Sequence, residues 1–256
     1  MTFFRSLLTA FSMYSNIPVP VREWDEKNTR YVLAAFPAVG CFVSLALSAW
    51  CLIAKSFQFG GGVFSAVGLA LIVIITGGIH LDGFCDTVDA LSSHASPERK
   101  REILKDSHAG AFAVIGAASL MLCAFAFLAE AYQGEVFPAP LILIPVFGRA
   151  VSGIAGLLFP VYREGTLHYF SESSEKRTSV LILAGWISIC AVILILLSPL
   201  KGLCMLLAAG VCVAAVYRMT VKEFKGMSGD LAGFLLCVTE TSMLLAYLIA
   251  ERIALL

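Results

Sequence analysis

The chain is predicted to be an all-α polytopic membrane protein, a bundle of about seven transmembrane helices preceded by an amphipathic helix, with residues 1–256 forming one domain. Three observations carry this reading. The 256 residues are 59% hydrophobic and only 14% charged, with a mean hydropathy of +0.88, far outside the range of a soluble domain of this length. Seven windows of about 20 mostly apolar residues, the length that crosses a bilayer, recur along the sequence. Basic residues then gather in every second connection between those windows.

In order, the opening stretch "MTFFRSLLTAFSMYS" places Phe3, Phe4, Leu7, Leu8 and Phe11 on one helical face. Its polar residues come too often for a cleavable leader, so it is expected to lie in the membrane interface or on the bundle. The apolar windows follow near 31–54, 62–79, 110–131, 137–159, 178–198, 200–217 and 231–250. Segments 1–30, 81–109, 160–177 and 218–230 hold fourteen of the eighteen Lys and Arg residues. The alternate connections and the tail hold Lys55, Lys201 and Arg252, and Arg149 lies inside a window. The positive-inside rule therefore predicts a cytoplasmic N-terminus and an outward C-terminus, as an odd number of spans requires.

Lys plus Arg equals Asp plus Glu at 18 each, so overall charge offers nothing to a nucleic acid, and none is expected as a partner. The eight cysteines form no C-x-x-C pair and all but Cys85 sit in apolar runs, which makes them small buried hydrophobes rather than disulfides or zinc ligands. No repeat or soluble domain is visible. Function must be built from the bundle and its polar rim.

Four polar clusters interrupt this apolar sequence. In "GGIHLDGFCDTVDAL", spacings of four and three put Asp82, Asp86 and Asp89 on one helical face, about 5–6 Å apart by Cβ. Such carboxylates repel unless a cation neutralises them, and Mg²⁺, which takes oxygen ligands and bridges carboxylates to substrate phosphates, suits the set. A solvated acidic face at a helix start is the blander alternative. In "REILKDSHAGAF", Lys105 with Asp106, Ser107 and His108 precedes the third span, and either an N-cap or an anion site at a helix start fits.

In "KGMSGDLAGFLLCVTETSMLL", Asp230 stands at the mouth of the last span and Glu240 lies about 15 Å deeper. A carboxylate inside the membrane is costly, and Arg149 of "PVFGRAVSG" is its natural partner, either structurally or in contact with substrate. In "YREGTLHYF", Arg163 is either a phosphate clamp or a positive-inside anchor. All of these but the deep pair fall on the predicted cytoplasmic side. Together they suggest a Mg²⁺-dependent membrane transferase acting on a diphosphate, with the protein positioning reactants and stabilising charge.

The run "GGIHLDGFCDTVDAL", then "KDSHAGAFAVIG", "GRA", "YREG" and "GMSGDLAG" before a Glu in the last span, resembles the cobalamin synthase family, the adenosylcobinamide-GDP ribazoletransferases of the vitamin B12 pathway. "NIPVP" and "FPAVG" are similar to the opening segment of that family, and the likeness runs in one order from about residue 10 to 250. Cys85, Ser107-His108 and Ser228 stand where the family more often has a small residue, Ser-Arg and Thr.

The resemblance implies that the ribose 3′-hydroxyl of α-ribazole, or of its 5′-phosphate, attacks the phosphorus next to the aminopropanol arm of adenosylcobinamide-GDP. GMP leaves, and adenosylcobalamin or its 5′-phosphate forms. It implies Mg²⁺ as cofactor on Asp82, Asp86 and Asp89, with Asp82, Asp106 and Asp230 as catalytic carboxylates. Lys105, Arg149, Arg163, Ser107, Glu240 and His80 would contact substrate, with segments 81–109 and 160–177 as the rim that meets the corrin ring. It further implies the bacterial cytoplasmic (inner) membrane, with the lipid bilayer, other corrinoid-pathway enzymes and a second copy of the chain as neighbours.

Rival readings make distinct demands. A CDP-alcohol phosphotransferase needs D-x-x-D-G-x-x-A-R, but Ile79 and Thr87 occupy the first Asp and the Arg positions. A prenyl-diphosphate transferase ordinarily carries two Asp-rich motifs, and one is clear here. A cation transporter needs midplane polar groups and usually a repeat, and only Arg149 and Glu240 lie deep.

Overall fold

The computed structural model describes residues 2–20, 26–106, 108–132, 138–162 and 165–255. Among them the only regular structure is helix, apart from one isolated parallel bridge between Val161 and Met227. Helix α1 (Thr2–Tyr14) and the short α2 (Glu26–Thr29) lead into α3 (Val32–Ser56), which is followed by α4 (Gly61–Thr76) and α5 (Ile79–Ser92). Next come α6 (Pro97–Ile103), α7 (Ala111–Ala131), α8 (Ala139–Ile142), α9 (Ile144–Leu158) and α10 (Thr166–Ser173). The bundle ends with α11 (Lys176–Leu197), α12 (Pro199–Met219), one π-helical turn (Thr220–Phe224) and α13 (Gly229–Ile253).

Among the described residues six helical segments are long and apolar enough to cross a membrane, and the bent pair α4–α5 makes a seventh when counted as one span. This is a multi-pass membrane protein of the expected class. Helix α9 is the most enclosed span, while α7, α11 and α12 turn most of their surface outward. Lipid tails give no hydrophobic drive between helices, so close packing must hold the bundle. Small residues supply it: a Cβ on Gly40 of α3 would lie 2.5 Å from the Pro145 carbonyl of α9, so the two backbones touch.

Helix α1 packs on the bundle. Its small polar face, Ser6, Thr9 and Ala10, is buried, and Ser6 Oγ accepts from the Tyr31 backbone N–H at 3.2 Å. Phe3 and Phe4 face outward. The helix packs on α3 through small residues and presents aromatics to the surroundings, an arrangement suited to an interfacial helix.

The second window breaks where the site begins. Gly77 and Gly78 both take left-handed backbone angles (φ 66° and 75°), and α5 leaves α4 at 93°. L-residues pay for that conformation and glycine does not. The carbonyls freed at the end of α4 are met by Asn16, whose backbone N–H donates to Ile75 O (2.7 Å) and whose Nδ2 donates to Ile74 O (3.1 Å). The "NIP" segment thus ties the end of α1 to the α4–α5 corner.

Candidate functional site

Helix α5 lies against α13, and two glycines set the crossing. A Cβ on Gly83 would sit 2.7 Å from Asp230 Cα, and one on Gly233 would sit 3.0 Å from the His80 carbonyl. The backbones therefore meet at both points, which brings Asp82 and Asp86 of α5 up to Asp230 at the start of α13. Asp86 feels the charges of Asp82, Asp230 and Asp89 together, and no salt bridge reaches any of the four among the described residues.

Asp89 has another occupation. Its Oδ1 accepts from Ala113 N (2.8 Å) and its Oδ2 from Gly110 N, so it caps the first turn of α7 from a neighbouring helix. Gly110 is the residue this cap tolerates, since a Cβ there would meet the carboxylate at 2.6 Å. The N-cap expected near Asp106 is supplied by Asp89 instead. Asp106 is an exposed residue bonded to the ring (2.7 Å) and backbone N–H (3.0 Å) of His108, which hold its carboxyl below the usual range. It lines neither of the clefts described next.

Two clefts open beside the carboxylates and share Thr166, Leu167, Gly229 and Asp230. The first, about 230 Å³, is cationic: Arg101 and Lys105 line it with Tyr162, Ser228 and Gly229. Arg101 donates to the Phe224 carbonyl at 2.9 Å and stacks over the Tyr162 ring at 4.7 Å, with Lys105 Nζ 6.0 Å from the same ring. The Val161–Met227 bridge holds Tyr162 there, Tyr162 N donating to Met227 O (3.1 Å) and Met227 N to Pro160 O (2.7 Å). Lys100, buried and paired with Glu223 at 2.5 Å, fixes α6 to the π turn. π turns recur at functional sites.

The first cleft also receives the N-terminus of the 25-residue α13, where Ser228 caps by accepting from Leu231 N (3.3 Å) and donates to Asp230 Oδ2 (3.3 Å). A helix start with free N–H groups beside Arg101 and Lys105 suits an anion such as phosphate. The second cleft, about 170 Å³, is aromatic: Tyr14, Phe36, His80 and Phe170 line it, with Asp82 and Asp230.

Of the residues expected from sequence, Asp82, Asp86 and Asp230 come together, Lys105 joins them through the first cleft and His80 through the second. Arg149 and Glu240 do not. Arg149 is 1% exposed, pairs with Glu240 at 3.0 Å, donates to Pro145 O (2.9 Å) and sits over the Phe36 ring at 5.7 Å. Neither lines either cleft; with His80 they border a separate cavity of about 100 Å³. Arg163 and Ser107 lie outside the described residues. Sequence reasoning gave no role to Tyr14, Phe36, Arg101 and Tyr162. The four-residue step from Arg101 to Lys105 puts both on one helical face, but the aromatics look like ordinary core until α1, α3 and α5 are assembled.

Among the described residues no three metal-ligating side chains converge closely enough to enclose an ion by themselves. Among the described residues the oxygens of Asp82, Asp86 and Asp230 are hard donors without a cationic partner, which fits Mg²⁺, an ion that keeps waters and takes one or two carboxylates plus substrate phosphates.

Residues 6–248 match the family model described as Cobalamin-5-phosphate synthase. A protein of Lachnoclostridium phytofermentans named adenosylcobinamide-GDP ribazoletransferase is 35% identical over 99% of this chain and 97% of its own length. Proteins of the same name from Stutzerimonas stutzeri (32% identical, 93% of this chain and 95% of the relative) and Clostridium botulinum strain Alaska E43 (30%, 93% and 94%) are similar throughout. No solved structure matches significantly. With a family model and full-length relatives agreeing, and with the motif residues gathered at one end of a helical bundle, the chain belongs to the cobalamin-5-phosphate synthase family.

Proposed function

We propose that this protein is an adenosylcobinamide-GDP ribazoletransferase of the bacterial cytoplasmic membrane, working in a cleft that faces the cytoplasm. The 3′-oxygen of α-ribazole, or of its 5′-phosphate, forms a bond to the phosphorus next to the aminopropanol arm of adenosylcobinamide-GDP. The bond from that phosphorus to the GMP oxygen breaks, and the hydroxyl proton passes to a carboxylate. The observation that carries this reading is Asp230, which lines a cationic and an aromatic cleft at once beside Asp82.

In this reading the first cleft takes the diphosphate. Arg101 and Lys105 offset its charge, and the N–H groups at the start of α13 orient it. Asp230 accepts the hydroxyl proton between the two clefts. Asp82 and Asp86 would hold Mg²⁺ together with the substrate's phosphate oxygens, while Asp89 spends its oxygens on α7. When bound there, Mg²⁺ supplies charge neutralisation for the diphosphate and the departing phosphate. The distribution of Lys and Arg supports the cytoplasmic orientation.

Purified protein in detergent, given adenosylcobinamide-GDP, α-ribazole and Mg²⁺, should release GMP, and chelation with EDTA should stop it until Mg²⁺ is restored. Consumption of CDP-diacylglycerol or a prenyl diphosphate in place of the corrinoid would overturn the proposal.

A further inference from the structure

We infer that the second cleft is the seat of the acceptor's base: Tyr14, Phe36 and His80 form a pocket for a flat, largely apolar nitrogen heterocycle whose ribose then lies at Asp82 and Asp230. The inference rests on the proposed transfer reaction and adds the residues that select its nucleophile. Three independent features point to it.

The first is shape and chemistry. Tyr14 and Phe36 lie 4.2 Å apart by ring centroid, Phe36 and His80 5.3 Å, and Tyr14 and His80 6.1 Å with planes at 28°. These three aromatic rings border one cavity of about 170 Å³ that Phe170 helps to line. Aromatic walls suit a planar ring because stacking and edge contacts add to burial.

The second is an unanswered polar atom. His80 is only 8% exposed, and its Nε2 is buried without a hydrogen-bond partner. A buried polar atom of this kind is costly and calls for a ligand or a water. The Nε2–H tautomer would donate to an unsubstituted ring nitrogen of the heterocycle, which an all-carbon ring cannot accept. Among the described lining residues of this cleft there is no Lys or Arg, whereas Arg101 and Lys105 line the first cleft, which is the better seat for the diphosphate.

The third is the support behind the rings. Asn16 pins the chain just after Tyr14 to the last carbonyls of α4, and the His80 backbone is fixed by contact with Gly233 and by the Cys237 thiol donating to its carbonyl at 3.4 Å. Arg149 stands over Phe36 and is anchored by Glu240. Walls set on fixed supports discriminate better than mobile ones. The orphan pair in the membrane therefore acquires a use: it holds an aromatic wall.

The test measures steady-state GMP release with donor and acceptor varied separately. Phe36→Leu should raise the acceptor KM by about tenfold while leaving the donor KM within about twofold. For the wild-type protein, an acceptor with CH in place of the free ring nitrogen should show kcat/KM lower by about tenfold. His80→Leu should remove that discrimination. The wild-type comparison decides the matter if either variant fails to fold. Equal kcat/KM for the two acceptors, or a Phe36→Leu change that falls on donor and acceptor alike, overturns the pocket while leaving the transfer reaction standing. Absence of GMP release from the wild type overturns both.

Discussion

Asp82 and Asp89 sit on the same face of α5 and have different work. Asp89 accepts two backbone N–H groups of α7, so its loss is a loss of fold. Asp89→Ala should cost about 1–3 kcal/mol of stability, read by denaturant unfolding in micelles. Asp82 lines the second cleft and bonds to no other side chain among the described residues. Asp82→Asn should leave unfolding unchanged and lower turnover by about 10³-fold, the scale of removing one group that stabilises a transition state. Equal loss of stability in the two variants would erase this division. The buried Arg149–Glu240 pair makes a third case. Glu240→Ala strands a charge inside the bundle and should cost about 3–5 kcal/mol, whereas Glu240→Gln, which keeps an acceptor for Arg149, should cost less in the same unfolding measurement.

At the scale of elements, the corner between α4 and α5 decides whether a site exists. A straight helix through residues 77 and 78 would carry the carboxylates of α5 along the axis of α4 and away from α13. The 93° turn lays them across α13 instead. At Gly78 the cost of a side chain can be isolated, because an added Cβ would meet nothing nearer than Val73 Cγ1 at 4.0 Å. Gly78→Ala should therefore cost about 1–2 kcal/mol from backbone conformation alone, together with a fall in turnover as α5 shifts. Thermal unfolding and GMP release on the same sample check both. At Gly77 the penalty adds a clash, since a Cβ would approach Asn16 Oδ1 at 2.7 Å.

For the whole molecule, the two ends of the bundle are held differently. One end carries the clefts, the Lys100–Glu223 pair and the Val161–Met227 bridge. The other is tied by Lys201 to Glu251 (2.8 Å) and Tyr247 (3.2 Å) and by Arg252 to Glu130. The four sequence segments expected on the cytoplasmic side, 1–30, 81–109, 160–177 and 218–230, hold fourteen of the eighteen basic residues. A reporter domain fused after Leu256 should consequently read as outside the cytoplasm, and one inserted at His94–Ala95, between α5 and α6, as inside. A cytoplasmic reading for the C-terminal fusion would invert the orientation or change the number of spans. The large corrinoid would then have to reach the clefts from the other face.

What the sequence determined by itself was the class and the inventory. Hydropathy and the alternation of Lys and Arg located all seven apolar segments within a few residues, because a bilayer imposes one length and one periodicity on anything that crosses it. The spacing of Asp82, Asp86 and Asp89 was legible for the same reason, since helical geometry is local. What only the tertiary structure decided was which polar groups meet. Asp230 lies 148 positions from Asp82 and joins it through the contacts of Gly83 and Gly233, while Asp89 is drawn off by Gly110. Arg149 turns inward to Glu240, and Tyr14, Phe36 and His80 become one pocket only when three helices converge. Backbone approach between distant helices depends on side-chain size at a few crossing points, and no local pattern in the chain encodes it.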